Sequence, residues 1–208
     1  MDPSGLIRSL HRQPLLAVLR PESLQQARLQ LQKLQQAGLV HAELAVDPTP
    51  AWVEMARELV QMFPALRLGA ASVRCSAGLE VALQAGLGYV VSPILDRDLL
   101  EQAAAAAITL VPGVLSPTEI AAAVRWGASA VKLYPAASLG PGYWRALAGP
   151  LRPLPFCIAA GGLAPGDATA WYEAGVDAIA LGSCLFRGDR LDPSLSQLVV
   201  TLRSKCYF

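Results

Sequence analysis

Charge and aromatic rings are both scarce in this chain. Only 16% of its 208 residues are Asp, Glu, Lys or Arg, and only 6% are Phe, Trp or Tyr. The formal net charge is +1, so neither nucleic acid nor an anionic membrane is an expected partner. The longest low-charge stretch, residues 102–112, is too short to span a bilayer and is closed by Pro112 and Gly113. Residues 1–12 carry charges but no long apolar core and no small-residue cleavage site. They are read as lacking a secretory signal, and a cytoplasmic location is expected. The four cysteines, Cys75, Cys157, Cys184 and Cys206, form no close pair, and neither histidine stands at metal-ligand spacing. A disulfide framework and a zinc site are therefore not expected.

What remains is aliphatic. Hydrophobic residues make up 53% of the chain, dominated by Ala, Leu and Val. That suits buried parallel strands wrapped by Ala-rich helices, and residues 1–208 are read as a single domain. No linker-like shift interrupts them, but a repeat does emerge. "QQAGLVHAELAV", "LQAGLGYVVSP", "VRWGASAVKLYP" and "YEAGVDAIALGS" share one form: a helix stops at a glycine and an apolar strand starts two or three residues later. Gly38, Gly86, Gly127 and Gly175 would hold the left-handed position that ends each helix. Four further strands are read at Leu15, Leu66, Ile108 and Pro155. Helix starts are marked by Glu22-Ser23, Pro48-Thr49-Pro50, Ser116-Pro117 and Pro165-Gly166-Asp167. Eight strands alternating with eight helices imply parallel pairing through crossovers. At about 24 residues per unit, the expected architecture is a compact (β/α)8 barrel, with an open doubly wound sheet as the alternative. A short helix before the first strand is expected to lie across the N-terminal end of the barrel.

In such a barrel the chemistry sits at the C-terminal ends of the strands, where inward side chains are otherwise apolar. Two charged residues break that rule. Of three lysines against fourteen arginines, Lys33 lies in a Gln-rich helix and Lys205 in a polar tail, while Lys132 alone interrupts an apolar strand, "SAVKLYPA". Burial there would lower its pKa and free an amine to attack a carbonyl; a lysine that snorkels to solvent is the competing explanation. Glu43 in "HAELAV" could exchange protons with a Lys132 adduct, or be a structural ion pair. The turns "AAGGL" and "LGS" follow the seventh and eighth strands, the usual position of a phosphate site in barrels.

With these residues in place the chain resembles the KDPG/KHG aldolase family, class I aldolases acting on 2-keto-3-deoxy-6-phosphogluconate and 4-hydroxy-2-oxoglutarate. The resemblance runs from "LLAVLR" to "LGSCLFRG". It is carried by "AELAV", "LGAASV", "VSP", "VPGVLSPTE", "VKLYPA", "GPGYWRALAGPL", "AAGGL" and "LGS" in family order, with "DPTPAW" and "GPGYW" closest to the phosphogalactonate-cleaving branch. It implies Lys132 as the Schiff-base lysine and Glu43 as the general acid/base. Gly161, Gly162, Gly182 and Ser183 would hold a substrate phosphate, Arg20 the keto-acid carboxylate, and Ser72 and Pro93 would complete the substrate-binding set. It further implies a homotrimer, a phosphorylated keto acid as small-molecule partner, and no cofactor. Asp47 replaces an arginine that some members carry, Ser72 a threonine, Ala71 a glycine and Ala160 a threonine. Two rivals are weighed against the aldolase. One is a non-catalytic phosphate-ligand binding barrel derived from this family. The other is a lysine-independent phosphosugar isomerase. Lys132 and Glu43 together favour the aldolase.

Overall fold

The computed structural model describes residues 3–205. In chain order it contains α1 (Pro3–Arg12), β1 (Leu15–Leu19), α2 (Leu24–Gln36), β2 (His41–Ala45), α3 (Pro50–Met62), β3 (Arg67–Ala71), α4 (Ser76–Gln84), β4 (Tyr89–Val91), α5 (Arg97–Ala105), β5 (Thr109–Val111), β6 (Gly113–Val114), α6 (Pro117–Arg125), β7 (Ala130–Leu133), α7 (Pro141–Leu147), β8 (Phe156–Ala160), α8 (Ala168–Glu173), β9 (Ala178–Leu181) and α9 (Ser194–Lys205). A small hairpin, β10 (Phe186–Arg187) and β11 (Arg190–Leu191), lies between β9 and α9.

The nine larger-sheet strands run β5-β4-β3-β2-β1-β9-β8-β7-β6, and every pairing is parallel. The ends of that order are neighbours in the chain. β5 and β6 are halves of one strand, broken at Pro112, which has no N–H to give a ladder. β5 pairs with β4, β6 pairs with β7, and the Lys132 amide donates to the Pro112 carbonyl at 2.8 Å. The sheet thus closes through Pro112 into the eight-staved barrel expected from the alternation, not an open sheet with two bare edges.

Side-chain alternation divides the apolar residues in two. Leu15, Ala17, Leu44, Val131 and Leu133 join the cluster between strands and helices. Leu16, Tyr89, Val91, Ile158 and Ala178 form a separate cluster in the lumen. The floor of the lumen is α1, whose Leu6 and Leu10 are wholly buried in that second cluster. Ser9 Oγ lies 2.8 Å from His41 Nε2, tying α1 to β2. The N-terminal helix therefore closes the end of the barrel opposite the strand C-termini.

The helix signals act as their chemistry demands. Ser23 and Thr49 cap α2 and α3 by accepting from the amides three residues on, and Ser116 with Glu119 forms a reciprocal capping box on α6. Residues Pro165–Asp167 form a 3-10 turn ahead of α8 instead of its first α-turn. Gly38, Gly86, Gly127 and Gly175 all have positive φ. Each lies between a pair of backbone bonds of the Schellman type, such as Gly38 to Gln35 and Leu39 to Leu34. The same pair of bonds closes α5, but there the left-handed residue is Ala107, with φ 53.

Among the described residues no helix is long and apolar enough to cross a membrane. Cys75, Cys157 and Cys184 are unpaired thiols. Cys206 and the side chain of Lys205 lie outside the described residues.

Candidate active site

Alternation on β7 turns Ala130 into the lumen cluster and Val131 and Leu133 outward, so Lys132 takes an inward position. It is 8% exposed. Its Nζ stands 4.7 Å from the centre of the Tyr134 ring. Burial pushes the ammonium below the usual lysine range and Arg20 adds to the lowering, while the Glu43 carboxylate opposes both.

Glu43 stands on β2 opposite Val18 of β1 and Gly69 of β3. It is 1% exposed, and its Oε1 has no hydrogen-bond partner. Burial raises its pKa from 4.5 to about 7, against the pull of Lys132 and then Arg20. The two residues form no contact ion pair, and Glu43 Oε1 is left without a hydrogen-bond partner. The structural explanation of Glu43, a locked ion pair, is therefore not what the geometry gives. Both groups are instead held where desolvation favours their neutral forms.

Arg20 follows β1 directly and is exposed at the mouth. Its Nη1 donates to Ser72 Oγ at 3.2 Å, and it makes no ion pair with Glu22 or Asp47. Ser72 directly follows β3 with φ 63, a left-handed conformation that costs a non-glycine residue about 1–2 kcal/mol. The strain and the Arg20 contact fall at the same place, beside the charged centre.

The two glycine turns follow β8 and β9, next in the sheet to β1. Gly161 and Gly162 have φ 94 and 77. A β-carbon on Gly161 would lie 2.8 Å from the Tyr134 ring, and one on Gly162 would lie 2.9 Å from Ala137 Cβ. Only glycine fits this close approach of β8's exit to the segment after β7. Gly182 leads into a 3-10 turn at Ser183–Leu185 after β9. A cavity of about 510 Å³ is lined by Arg20, Lys132, Tyr134, Gly161, Gly162, Gly182 and Ser183 among others. A wider depression of about 960 Å³, around Lys33, Arg187 and Arg190, lies outside the mouth beneath the β10–β11 hairpin and lacks an inward lysine.

The structure thus gathers Lys132, Arg20 and both glycine turns around one cavity. Glu43 lies behind its lining, coupled electrostatically to Lys132 and Arg20, and Ser72 joins through Arg20. Pro93 does not line this cavity; its backbone packs against Gly113 after β4. Sequence reading missed Tyr134, although its position two residues after Lys132 was a visible signal. It also missed Gln26, Gln30 and Phe186 on the cavity wall, which nothing in the local sequence marks.

Comparison with known proteins bears on the family and the fold. A model for the family described as KDPG and KHG aldolase matches residues 6–202. Over 175 residues the chain is 28% identical to the 2-dehydro-3-deoxy-6-phosphogalactonate aldolase of Escherichia coli, covering 84% of this chain and 85% of that one. It is 30% identical to the probable 2-dehydro-3-deoxy-6-phosphogalactonate aldolase of Rhizobium meliloti, covering 84% and 82%. A solved structure of native KDPGal superposes with a TM-score of 0.79 at 26% identity, over 93% of this chain and 94% of that one.

Proposed function

We propose that this chain, which belongs to the KDPG and KHG aldolase family, cleaves its substrate through an imine on Lys132, with Glu43 as acid and base. The protein is a carbon–carbon lyase, a class I aldolase that releases pyruvate and an aldehyde from a 2-keto-4-hydroxy acid. The observation that carries the residue assignment is a buried lysine, its pKa pushed down, opening on a cavity that also holds Arg20 and two glycine turns.

The free amine of Lys132 adds to the C2 carbonyl, and loss of water gives an iminium. That cation accepts the electron pair of the C3–C4 bond as it breaks, leaving an enamine of pyruvate. Glu43, directly or through one water, takes the proton of the C4 hydroxyl and returns it to C3 of the enamine. With a pKa of about 7 it is about half ionised at neutral pH, so one carboxyl can serve both transfers. Arg20 would pair with the substrate carboxylate, alongside the Ser72 hydroxyl it already contacts. Amides around Gly161, Gly162, Gly182 and Ser183 would receive the phosphate of 2-keto-3-deoxy-6-phosphogluconate or its galactonate epimer. The chain is read as one domain over residues 1–208, working as a cytoplasmic homotrimer.

Borohydride reduction in the presence of pyruvate tests the assignment. A solvated lysine has a pKa near 10.4, so about one in two thousand is a free amine at pH 7. Lys33 is half-buried on α2 and its ammonium is already bonded to the Asp189 carbonyl. Peptide mass spectrometry should find the reduced adduct on Lys132 and on neither Lys33 nor Lys205. Lys132→Arg should abolish trapping and turnover together. A folded protein that gives no adduct in excess pyruvate would turn the reading toward the phosphate-binding barrel.

A further inference from the structure

Four buried side-chain atoms among the described residues lack a hydrogen-bond partner, and two of them belong to residues that are electrostatically coupled, Glu43 and Tyr89. One is Glu43 Oε1. The other is the hydroxyl of Tyr89, a wholly buried residue on β4. Backbone pairing explains the coupling. Glu43 is the register partner of Gly69 on β3, the strand between β2 and β4. A β-carbon on Gly69 would lie 2.5 Å from Tyr89 Cε2 and 2.7 Å from Cε1, with Cζ closer still. The tyrosine ring therefore occupies the place a side chain on β3 would take, with its hydroxyl-bearing end over the register partner of Glu43, whose charge acts on it. In a lumen lined mainly by apolar side chains, a carboxyl oxygen and a phenol hydroxyl without partners are each costly, and a water bonded to both removes both costs.

We propose that Tyr89 is a positioning residue for the aldol reaction: its hydroxyl donates through one enclosed water to Glu43 Oε1 and holds the carboxylate toward Lys132. This rests on the reading of Glu43 as the acid and base. The remaining charged and titratable groups around Glu43 are accounted for. Lys132 faces it from β7 and Arg20 from the end of β1, both favouring the carboxylate. His41 stands two residues earlier on β2, held neutral by burial and occupied by Ser9. Tyr89 is the neutral donor in the set: burial and the Glu43 charge both keep its phenol protonated far above neutral pH. A protonated phenol beside a carboxylate stabilises the ionised form, so loss of the hydroxyl must make Glu43 harder to ionise.

Tyr89→Phe keeps the ring over Gly69 and removes only the hydroxyl. The Glu43 carboxyl can be followed by carbon NMR on protein labelled at Glu, with Glu43→Gln identifying its resonance. Its midpoint should rise by about one to two pH units in Tyr89→Phe. The acid limb of pyruvate methyl-proton exchange into D2O, which needs Lys132 and an acid–base group but no aldehyde, should rise with it. Exchange at pH 7 should fall about five- to fiftyfold in kcat, with KM for pyruvate changing less than about twofold and the thermal midpoint falling by a few degrees, because the buried Glu43 oxygen is left without its partner. An unmoved Glu43 midpoint overturns the inference whatever Glu43 does in catalysis. A shifted midpoint with an unmoved exchange profile shows instead that Glu43 is not the acid and base, and Tyr89 then has no part in the reaction. If Tyr89 is only a core residue with an orphan hydroxyl, the phenylalanine variant gains stability and both profiles stay where they were.

Discussion

Replacing Glu43 with glutamine should make the protein relatively more stable as pH rises while it destroys turnover. The carboxyl titrates at 4.5 when unfolded and at about 7 in the barrel. A carboxyl whose folded pKa is raised binds its proton more tightly when folded. Its stabilising contribution is complete below pH 4.5 and is lost as pH climbs toward 7. The gap of roughly 2.5 units, at 1.36 kcal/mol each, corresponds to about 3 kcal/mol. Glutamine has the same shape and does not titrate. The stability difference between variant and parent should therefore rise by up to about 3 kcal/mol between pH 4.5 and pH 8. Lys132 adds to the trend: without the carboxylate it loses the neighbour that favours its ammonium, so the folded state prefers the free amine more strongly. Burying a primary amide imposes its own penalty of about 1–3 kcal/mol, but that offset does not vary with pH. The quantity to measure is the slope. Urea unfolding of both proteins at several pH values gives it, and a stability difference flat across the window would refute a carboxyl raised by burial.

Three further outcomes follow from the same structure. His41 is lowered from 6.5 to about 3 by burial and by Arg67; a group held neutral this way loses stability as pH falls below 6.5, by about 3 kcal/mol on reaching pH 4, and His41→Gln should flatten that acid limb in urea unfolding. Ala107→Gly relieves the left-handed alanine that ends α5 and should stabilise by about 1 kcal/mol, seen as a higher thermal midpoint, whereas an unchanged or lower midpoint would mean the αL strain is already relaxed. Arg20→Ala should raise KM for the keto acid roughly ten- to a hundredfold with little change in unfolding free energy, and unchanged kinetics would move carboxylate recognition to Ser72 and nearby amides.

Much of this molecule was legible along the chain because its determinants are local. Schellman glycines, Ser and Thr caps and apolar runs each act within a few residues, so the strand–helix alternation and its count could be read directly. Even the break at Pro112 is written in the sequence, as a residue that cannot donate to a ladder. Lys132 and Glu43 were visible because a charge inside an apolar strand contradicts its surroundings. Other features exist only once the sheet closes. β2 and β7 are far apart in sequence and meet across the lumen, so no spacing rule relates Glu43 to Lys132 or decides whether they neutralise each other. Tyr89 reads as one more apolar strand residue until Gly69 of the neighbouring strand gives its ring room over the register partner of Glu43. Gln30 reads as one of many glutamines in a polar helix until α2 packs and buries it beside the cavity. The sequence by itself determined which segments become strands and which charges are out of place. The barrel decided how strongly those charges are desolvated and which distant groups face them, because dielectric environment and through-space distance are properties of the closed sheet and not of any segment.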